Sequence, residues 1–231
     1  MKMIGMLGGM SWESTQTYYR AVNEGVKAAL GGLHSARVLL YSVDFAKIEA
    51  LQHQGDWDQL AEILIEAANS LEAGGADFLV ICTNTMHKVA PQIAQAIGIP
   101  ILHLADATAA TLKANGITRV GLLGTRFTME ESFYKERLEA QGISVVVPDT
   151  VDRQSIHDII YTELCRGLIQ PASRSVYLDV IDRLAGDGAE AVILGCTEIG
   201  LLVRQADTAI PLYDTTLIHA QQAVAWSLNQ P

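Results

Sequence analysis

The stretch GGADFLVICTNT at residues 74–85 decides the fold, because DGAEAVILGCTE at 187–198 aligns with it without a gap. A glycine, an acidic residue and four apolar residues occupy matching positions in the two stretches. A second pair, IGMLGGMS at 4–11 and VGLLGTRF at 120–127, lies a similar distance upstream of each. Such internal similarity predicts that the chain consists of two similar halves.

Short apolar segments alternate with longer amphipathic segments along the chain. Segments such as DQLAEILIEAANSLEAGG (58–75) carry apolar residues every three or four positions and end in glycine, as helices do. Continuous β-branched runs that alternate with helices predict parallel sheets covered on both faces. The predicted fold class is therefore α/β, with two pseudo-symmetric Rossmann-like halves. The predicted strands are 2–7, 37–43, 77–82, 100–104, 119–123, 144–148, 190–194 and 209–213.

The C-terminal segment TTLIHAQQAVAWSLNQ follows the last predicted strand and is expected to return to the first half. The predicted domains are therefore residues 1–99 plus 214–231 and residues 100–213. Ligands of open parallel sheets bind beyond the carboxyl ends of the strands. We expect the loops at 83 and 196 to face one active-site cleft between the halves.

Composition excludes several classes of partner. Among 231 residues, 16 basic side chains oppose 26 acidic ones, a net charge of −10 that argues against nucleic acid or an anionic membrane. No apolar run reaches the length of a membrane span, and the N-terminus lacks a cleavable signal pattern. Three cysteines without CxxC spacing indicate reduced thiols in a cytoplasmic protein. The histidines lack metal-ligand spacing, so no metal is expected.

Cys82 and Thr83 follow one another at the end of a predicted strand, where successive side chains point to opposite faces. The alignment pairs Thr83 with Cys196 and Cys82 with Gly195. Free cysteine is among the most buried residue types, so Cys82 is predicted to be buried. The predicted catalytic pair is therefore Thr83 and Cys196.

Five motifs in this chain resemble those of the aspartate/glutamate racemase superfamily, most closely its cofactor-independent amino-acid racemases. The resemblance runs the length of the chain and keeps the order of the motifs. It implies two α/β halves with an amino acid between them, no pyridoxal phosphate or other cofactor, and a homodimer. It also implies two bases on opposite faces of the α-carbon, usually both cysteines. The motifs are GMLGGMSWEST (5–15), SVDF (42–45), CTNTMH (82–87), LLGTRFTM (122–129) and GCTE (195–198).

The chain departs from this pattern where the family has Cys-Asn-Thr, because it reads Thr83-Asn84-Thr85. The reference pKa of a thiol, about 8.5, can be lowered by its surroundings, whereas a threonine hydroxyl needs an activator to act as a base. Threonine can still donate a proton to a carbanion. By resemblance, the second cysteine removes the α-proton of the L-enantiomer. We therefore predict that Cys196 deprotonates L-aspartate, L-glutamate or a related L-amino acid, and that Thr83 reprotonates it from the other side.

Hydrogen-bond donors must stabilise the carbanion, because no pyridoxal phosphate is expected to do so. Related aspartate racemases carry an arginine and a lysine for the distal carboxylate, where this chain has Gln52 or a near neighbour and Leu164-Cys165. The neutral amide of Gln52 weakens the expected selection for acidic side chains. The predicted substrate-binding residues are Met10, Ser11, Gln52, Asn84, Thr85, Leu164 and Thr197.

Two other functions remain open. Single-cysteine lyases of the same superfamily, such as arylmalonate decarboxylases, use one thiol to protonate a carbanion formed by loss of CO₂. A non-catalytic amino-acid-binding protein is the second alternative, since the loss of one base is compatible with the loss of turnover.

Five further side chains have assignments that the sequence leaves open or only suggests. His87 either orders the cleft or serves as a capping residue, and Glu198 either orients the Cys196 loop or lies in the first turn of a helix. Asp106 and Asp214 follow similar strands and are expected to cap the next helices. Cys165 lies in a helical stretch and is expected to belong to the core.

Overall fold

A computed structural model describes residues 1–229 of the chain. These residues form two compact units. Unit 1 consists of Met1–Leu104 together with the C-terminal segment from His219, and unit 2 of Ala105–Ile218. The division into domains of residues 1–99 plus 214–231 and residues 100–213 stays a prediction. Among the described residues, no helix combines the length and apolar character needed to cross a bilayer.

Unit 1 is built on a three-stranded parallel sheet with the strand order β2-β1-β3. The end of the C-terminal helix packs on this unit, because the Lys2 N–H donates to the Ser227 carbonyl at 2.8 Å. The elements of its N-terminal segment are β1 (Ile4–Gly8), α1 (Trp12–Leu30), β2 (Val38–Ser42), α2 (Phe45–Gln54), α3 (Trp57–Ala73), β3 (Phe78–Ile81), a 3₁₀ helix (Thr85–Val89) and α4 (Ala90–Ala96).

Unit 2 is built on a four-stranded parallel sheet with the order β5-β4-β6-β7. Helices α5 and α11 extend across its sequence limits. The elements from α5 onward are α5 (Leu104–Ala114), β4 (Arg119–Gly124), α6 (Arg126–Glu130), α7 (Ser132–Glu139), β5 (Ser144–Val146), α8 (Thr150–Thr162), a 3₁₀ helix (Leu164–Arg166), α9 (Pro171–Gly186), β6 (Ala191–Gly195), α10 (Ile199–Leu202), a 3₁₀ helix (Gln205–Asp207), β7 (Leu212–Asp214) and α11 (Thr215–Ser227).

The predicted α/β fold with parallel strands is confirmed. Every residue of β1, β3 and β6 is buried, as expected for strands covered on both faces. Strand β2 lies at the edge of its sheet, and its last three residues are exposed. The continuous apolar runs thus mark the strands that are covered on both faces, and the partly exposed strand β2 carries the weaker pattern.

The aligned glycines of the internal repeat adopt the same conformation. Gly75 has a φ of 95° and Gly188 a φ of 91°, values that disfavour residues with a Cβ. Gly75 lies in the turn between α3 and β3, and Gly188 in the turn between α9 and β6. The sequence similarity at these positions therefore reflects one turn geometry that occurs twice.

The aligned acidic residues also make equivalent contacts. The Asp77 carboxylate accepts a hydrogen bond from the Met3 N–H, just before β1. The Glu190 carboxylate accepts from the N–H groups of Thr118 at 2.7 Å and Arg119 at 3.0 Å, where β4 begins. These bonds, with that of Thr118 the strongest, hold the pKa of Glu190 below its usual value. Each carboxylate thus satisfies the backbone at the start of the neighbouring parallel strand.

The predicted strand at 100–104 is wrong. A single bridge joins Ile101 to Leu79, and α5 already begins at Leu104. The Leu104 N–H donates to the His87 ring at 3.2 Å rather than to another strand. An apolar pattern cannot show that a distant side chain replaces a strand as the hydrogen-bond partner, and this explains the error.

One of the two predicted aspartate caps is confirmed. The Asp214 carboxylate accepts from the N–H groups of Thr216 at 2.8 Å and Leu217 at 3.2 Å and so caps α11. Asp106 is not a cap, because α5 already begins at Leu104 and the side chain lies inside its first turn. It forms an ion pair with Arg137 at 2.6 Å instead.

Replacement of Gly124 by alanine tests the close packing of the strand ends in unit 2. A Cβ at Gly124 would lie 2.8 Å from the Gly195 carbonyl oxygen, a backbone atom with little freedom to move. We expect Gly124→Ala to lower the free energy of unfolding by about 1–3 kcal/mol in urea denaturation. Gly186→Ala is the matched control, because a Cβ there meets no heavy atom within 4 Å. Equal stabilities of the two variants would contradict this account.

Candidate functional site

Cys82 lies directly after β3 and is 0 % exposed. Its thiol donates to the Val80 carbonyl at 3.7 Å, and burial raises its pKa far above the usual value. A protonated thiol without access to solvent is a poor base. The prediction that Cys82 is a buried thiol is confirmed.

Thr83 retains slight exposure, 9 %, where the chain leaves the sheet. The chain turns at once into a 3₁₀ helix that begins at Thr85, with the His87 N–H donating to the Asn84 carbonyl at 3.1 Å. The His87 ring also bonds to the Thr83 carbonyl, with Nδ1 and the oxygen 2.8 Å apart. The backbone of the predicted Thr83-Asn84-Thr85 site is therefore held from within the same loop.

The loop after β1 lies at the same end of the sheet, because β1 and β3 are parallel neighbours. Ser11 is the N-cap of α1, and both it and Met10 are buried. Gly9 has a φ of 90°, and a Cβ there would collide with the backbone of Val43. Glycine is thus required at this close approach. The predicted contacts Met10 and Ser11 follow β1, the strand that pairs with β3.

Gln52 lies on α2 and is buried. Its amide nitrogen donates to the sulfur of Met86 at 3.9 Å. Met86 belongs to the 3₁₀ helix that follows Thr83. The structure therefore brings Gln52 to the Thr83 loop within unit 1, although 31 positions separate Gln52 from Thr83 in the sequence.

In unit 2, Cys196, Thr197 and Glu198 form a hydrogen-bonded cluster directly after β6. The Cys196 thiol donates to the Glu198 carboxylate at 3.0 Å, and the Thr197 hydroxyl donates to the same oxygen at 2.7 Å. Glu198 precedes α10 but makes no side-chain capping bond to it. Of the two roles left open by the sequence, orientation of the Cys196 loop is the one the contacts support.

The electrostatics of this cluster keep the Cys196 thiol protonated. Burial raises its pKa well above the usual value, and the negative charge of Glu198 raises it further. The side chain is nevertheless 8 % exposed, whereas Cys82 has no exposure. Cys196 is therefore a thiol with an adjacent proton acceptor and limited access from outside.

Leu164 and Cys165 lie in the short 3₁₀ helix after α8. Leu164 is fully buried in the hydrophobic core of unit 2, and the half-buried Cys165 packs against the same core. A ligand could touch the Leu164 side chain only if surrounding core residues moved. A substrate contact at Leu164 stays a prediction.

Sequence reasoning did not assign a group of buried rings in unit 1. The Tyr18 hydroxyl lies 2.9 Å from Nδ1 of His219, and His219 Nε2 lies 2.8 Å from the Leu102 carbonyl oxygen. The His87 ring packs against His219 with centroids 5.8 Å apart. The four-residue spacing from Thr83 signals the contact of His87, but no local pattern signals that of His219.

Within residues 1–229, no cluster of three or more metal-ligating side chains occurs.

The chain belongs to the Asp/Glu/Hydantoin racemase family, whose model matches residues 7–223. Along 228 residues it is 23 % identical to the broad specificity amino-acid racemase RacX of Bacillus subtilis (strain 168), covering 96 % of this chain and 97 % of the relative. The sequence resemblance to aspartate/glutamate racemases is thereby confirmed.

Solved structures agree with this assignment. A Yersinia pestis protein provisionally described as an Asp/Glu racemase is 55 % identical, with a TM-score of 0.91 over 99 % of this chain and 100 % of that one. An aspartate racemase homologue from Pyrococcus horikoshii OT3 is 32 % identical, with a TM-score of 0.84 over 99 % of this chain and 100 % of that one. The α/β fold with parallel strands in two sheets is common to these proteins.

The buried ring cluster predicts an acid-sensitive stability. Burial, assisted by the nearby His87, lowers the pKa of His219 from 6.5 to about 3. Below about pH 6.5 the unfolded chain therefore binds a proton that folded His219 does not, and stability falls as the pH decreases toward 3. We expect His219 to account for a loss of about 2 kcal/mol between pH 7 and pH 5.

Denaturation at several pH values measures this effect. His219→Gln should be less stable at pH 7 but should show a flatter pH profile than the unmodified protein. His34→Gln is the control, because His34 is exposed and should leave the profile unchanged. A profile for His219→Gln as steep as that of the unmodified protein would assign the acid sensitivity to other groups.

Proposed function

We propose that the chain is an amino-acid racemase that works without pyridoxal phosphate and uses Cys196 and Thr83 on opposite faces of the α-carbon. The observation that carries the proposal is the hydrogen bond from the Cys196 thiol to the buried Glu198 carboxylate. This bond places a proton acceptor beside the thiol of Cys196, the residue that aligns with Thr83 in the internal repeat. The proposal requires that one α-carbon reaches both side chains.

The first step is proton removal from an L-amino acid by Cys196. The S–H bond breaks as the proton passes to Glu198, and the resulting thiolate accepts the α-proton as the C–H bond breaks. The thiolate is costly in the free protein, because burial and the charge of Glu198 oppose it. The α-ammonium group of a bound substrate brings a positive charge that reduces this cost. Cys196 is thus expected to act as a base only when substrate is present.

The second step is return of a proton by Thr83. Its O–H bond breaks as a new C–H bond forms on the opposite face. Water then restores the hydroxyl proton, and the hydroxide formed takes up the proton held by Glu198, which returns both side chains to their starting states. Thr83 has no activator comparable to Glu198 among the contacts described above, and a hydroxyl is a weak base without one. We therefore propose that turnover at saturation is faster from L to D than from D to L. Because the two enantiomers have equal free energies, the KM of the D-enantiomer is then lower in the same proportion.

The carbanion between these steps carries its charge mainly on the substrate carboxylate, so fixed hydrogen-bond donors are needed there. Asn84, Thr85 and Thr197 are the proposed side-chain donors, with Met10 and Ser11 as contacts from the first loop. The 3₁₀ helix that starts at Thr85 adds backbone N–H groups at the same place. No cofactor has a role in this scheme.

The proposed substrates are L-aspartate, L-glutamate or related L-amino acids. Gln52 is supported as a side-chain contact because it packs on Met86, beside the Thr83 loop. Its neutral amide can bond to a carboxylate or to another polar group, which favours a broader range than a charged residue would. The relative RacX is described as having broad specificity. A homodimer and a cytoplasmic location remain predictions from the resemblance and the sequence.

A decarboxylase that uses Cys196 as its proton donor is the second candidate. The protonated state of the thiol favours it, because such an enzyme needs a donor rather than a base. The two functions differ in substrate: a racemase exchanges the α-proton of an amino acid, whereas a decarboxylase releases CO₂ from a disubstituted malonate. A binding protein would do neither.

Proton NMR in D₂O separates these functions. L- and D-aspartate and L- and D-glutamate are supplied one at a time, without pyridoxal phosphate, and the products are separated by chiral chromatography. At saturating substrate we expect deuterated D-product from the L-enantiomers and a slower reaction of the D-enantiomers. Equal initial rates from both enantiomers at saturation would contradict the unequal roles of Cys196 and Thr83.

Replacement of Glu198 tests its influence on Cys196. Removal of the carboxylate charge should lower the pKa of the thiol, because that charge raises it. In Glu198→Gln, the pH profile of Cys196 alkylation should therefore shift to lower pH. Racemase kcat should fall about 10²- to 10⁴-fold, because the proton acceptor is lost.

Both proteins are compared in a Cys165→Ser background, so that the half-buried Cys165 does not react. Glu190→Gln serves as the control, since that carboxylate lies at the start of β4 and not beside a thiol. An unshifted alkylation profile in Glu198→Gln would rule out the proposed coupling.

A further inference from the structure

The His87 ring is confined to one neutral tautomer by its partners. Its Nδ1 lies 2.8 Å from the Thr83 carbonyl oxygen, which can only accept, so Nδ1 carries the proton. Its Nε2 lies 3.2 Å from the Leu104 N–H, which can only donate, so Nε2 must accept. The buried ring thus joins the Thr83 loop to the first residue of α5.

Neighbouring rings reinforce this connection. The His103 ring lies against His87 with centroids 4.5 Å apart. On its other side, the Leu102 carbonyl accepts from His219 at 2.8 Å. The segment Leu102–Leu104 is therefore held at both ends by imidazoles, where the sheet offers only the bridge at Ile101.

The bond from His87 affects the proposed reaction because Thr83 carries both the carbonyl that accepts this bond and the hydroxyl that delivers the proton. Fixing the Thr83 carbonyl restricts rotation of the backbone that carries the hydroxyl. Misplacement of a reacting group by about 1 Å can cost on the order of 10²-fold in rate. Cys196 has its own hydrogen-bond partner in Glu198 and does not depend on His87 for orientation.

We infer that His87 is a positioning residue for the proton-return step: through the Thr83 carbonyl and the Leu104 N–H it sets the direction from which the Thr83 hydroxyl delivers its proton. This rests on the proposed function, since it assigns His87 to one of the two proposed steps. The two proton transfers should therefore respond differently to a change at His87. Loss of the His87 bonds should impair proton return by Thr83 and leave proton removal by Cys196 unchanged.

Two substitutions divide the contacts of the ring. In His87→Asn the amide nitrogen lies near the former Nδ1 and can still donate to the Thr83 carbonyl. In His87→Gln the amide oxygen reaches the former Nε2 and can accept from the Leu104 N–H, but the bond to Thr83 is lost. The two variants therefore disturb the same buried site with opposite consequences for Thr83.

Two reactions separate the steps of catalysis. Racemisation of L-glutamate requires both proton removal and proton return. Elimination from 3-chloro-L-glutamate requires removal alone: the α-proton passes to Cys196, a Cα=Cβ bond forms, and the Cβ–Cl bond breaks with release of chloride. The ratio of racemisation kcat to chloride-release kcat therefore reports the proton-return step, and general destabilisation lowers both rates without changing it.

We expect His87→Gln to lower this ratio about 10- to 100-fold. His87→Asn should stay within about 3-fold of the unmodified protein, and Thr83→Ala should release chloride without racemising, as the reference for a lost return step. An unchanged ratio in His87→Gln would overturn the inference while leaving the proposed function intact. Absence of racemisation in the unmodified protein would overturn both the proposed function and the inference about His87. This outcome is seen with the unmodified protein, before any variant is made.

The tautomer supplies a test that does not depend on the folding of a variant. In ¹⁵N NMR of histidine-labelled, unmodified protein, His87 should appear as the neutral form protonated at Nδ1. A His87 ring protonated at Nε2 would remove the bond to Thr83 and overturn the inference.

Discussion

The backbone at the carboxyl ends of the parallel strands must find hydrogen-bond partners beyond the sheet. Buried polar groups are nearly always paired, and the strand ends of both units are buried. The chain meets this constraint with side chains from the loops themselves: Ser11 caps α1, and His87 bonds to the Thr83 carbonyl. In unit 2 the Glu198 carboxylate pairs with the side chains of Cys196 and Thr197. The same bonds that complete the fold therefore orient the candidate catalytic residues.

The two halves differ most at the position where the internal alignment pairs Thr83, a hydroxyl, with Cys196, a thiol. Cys196 has a buried carboxylate beside it, which raises the cost of the thiolate but offers a destination for its proton. Thr83 has a backbone carbonyl fixed by an imidazole, which orients a donor without creating a base. Similar strands and turns thus give the two candidate residues different surroundings: a carboxylate lies beside the thiol of Cys196, and an imidazole bonds to the backbone of Thr83.

The buried histidines explain how unit 1 completes its sheet with fewer strands than unit 2. In unit 2, β7 pairs with β6 over three residues. In unit 1 the corresponding segment forms a single bridge at Ile101, and imidazoles bond to the backbone of Leu102 and Leu104. Neutral rings can replace a strand here because each offers one donor and one acceptor. The replacement also makes this region the part of the molecule expected to respond to acid.

The sequence by itself determined the α/β class and the equivalence of Thr83 and Cys196. Alternating apolar and amphipathic segments report local backbone preference, and the glycines and acids of the repeat report turns and strand starts that occur twice. The burial of Cys82 followed from the same alternation. The tertiary structure alone decided the contact of His87 with Leu104, the partners of His219 and Gln52, the replacement of the strand at 100–104 and the ion pair of Asp106. Each of these depends on a contact between segments distant in the chain, such as the 117 positions between His219 and Leu102. Periodicity is a property of neighbouring residues, and it carries no record of which distant side chain will satisfy a buried backbone group.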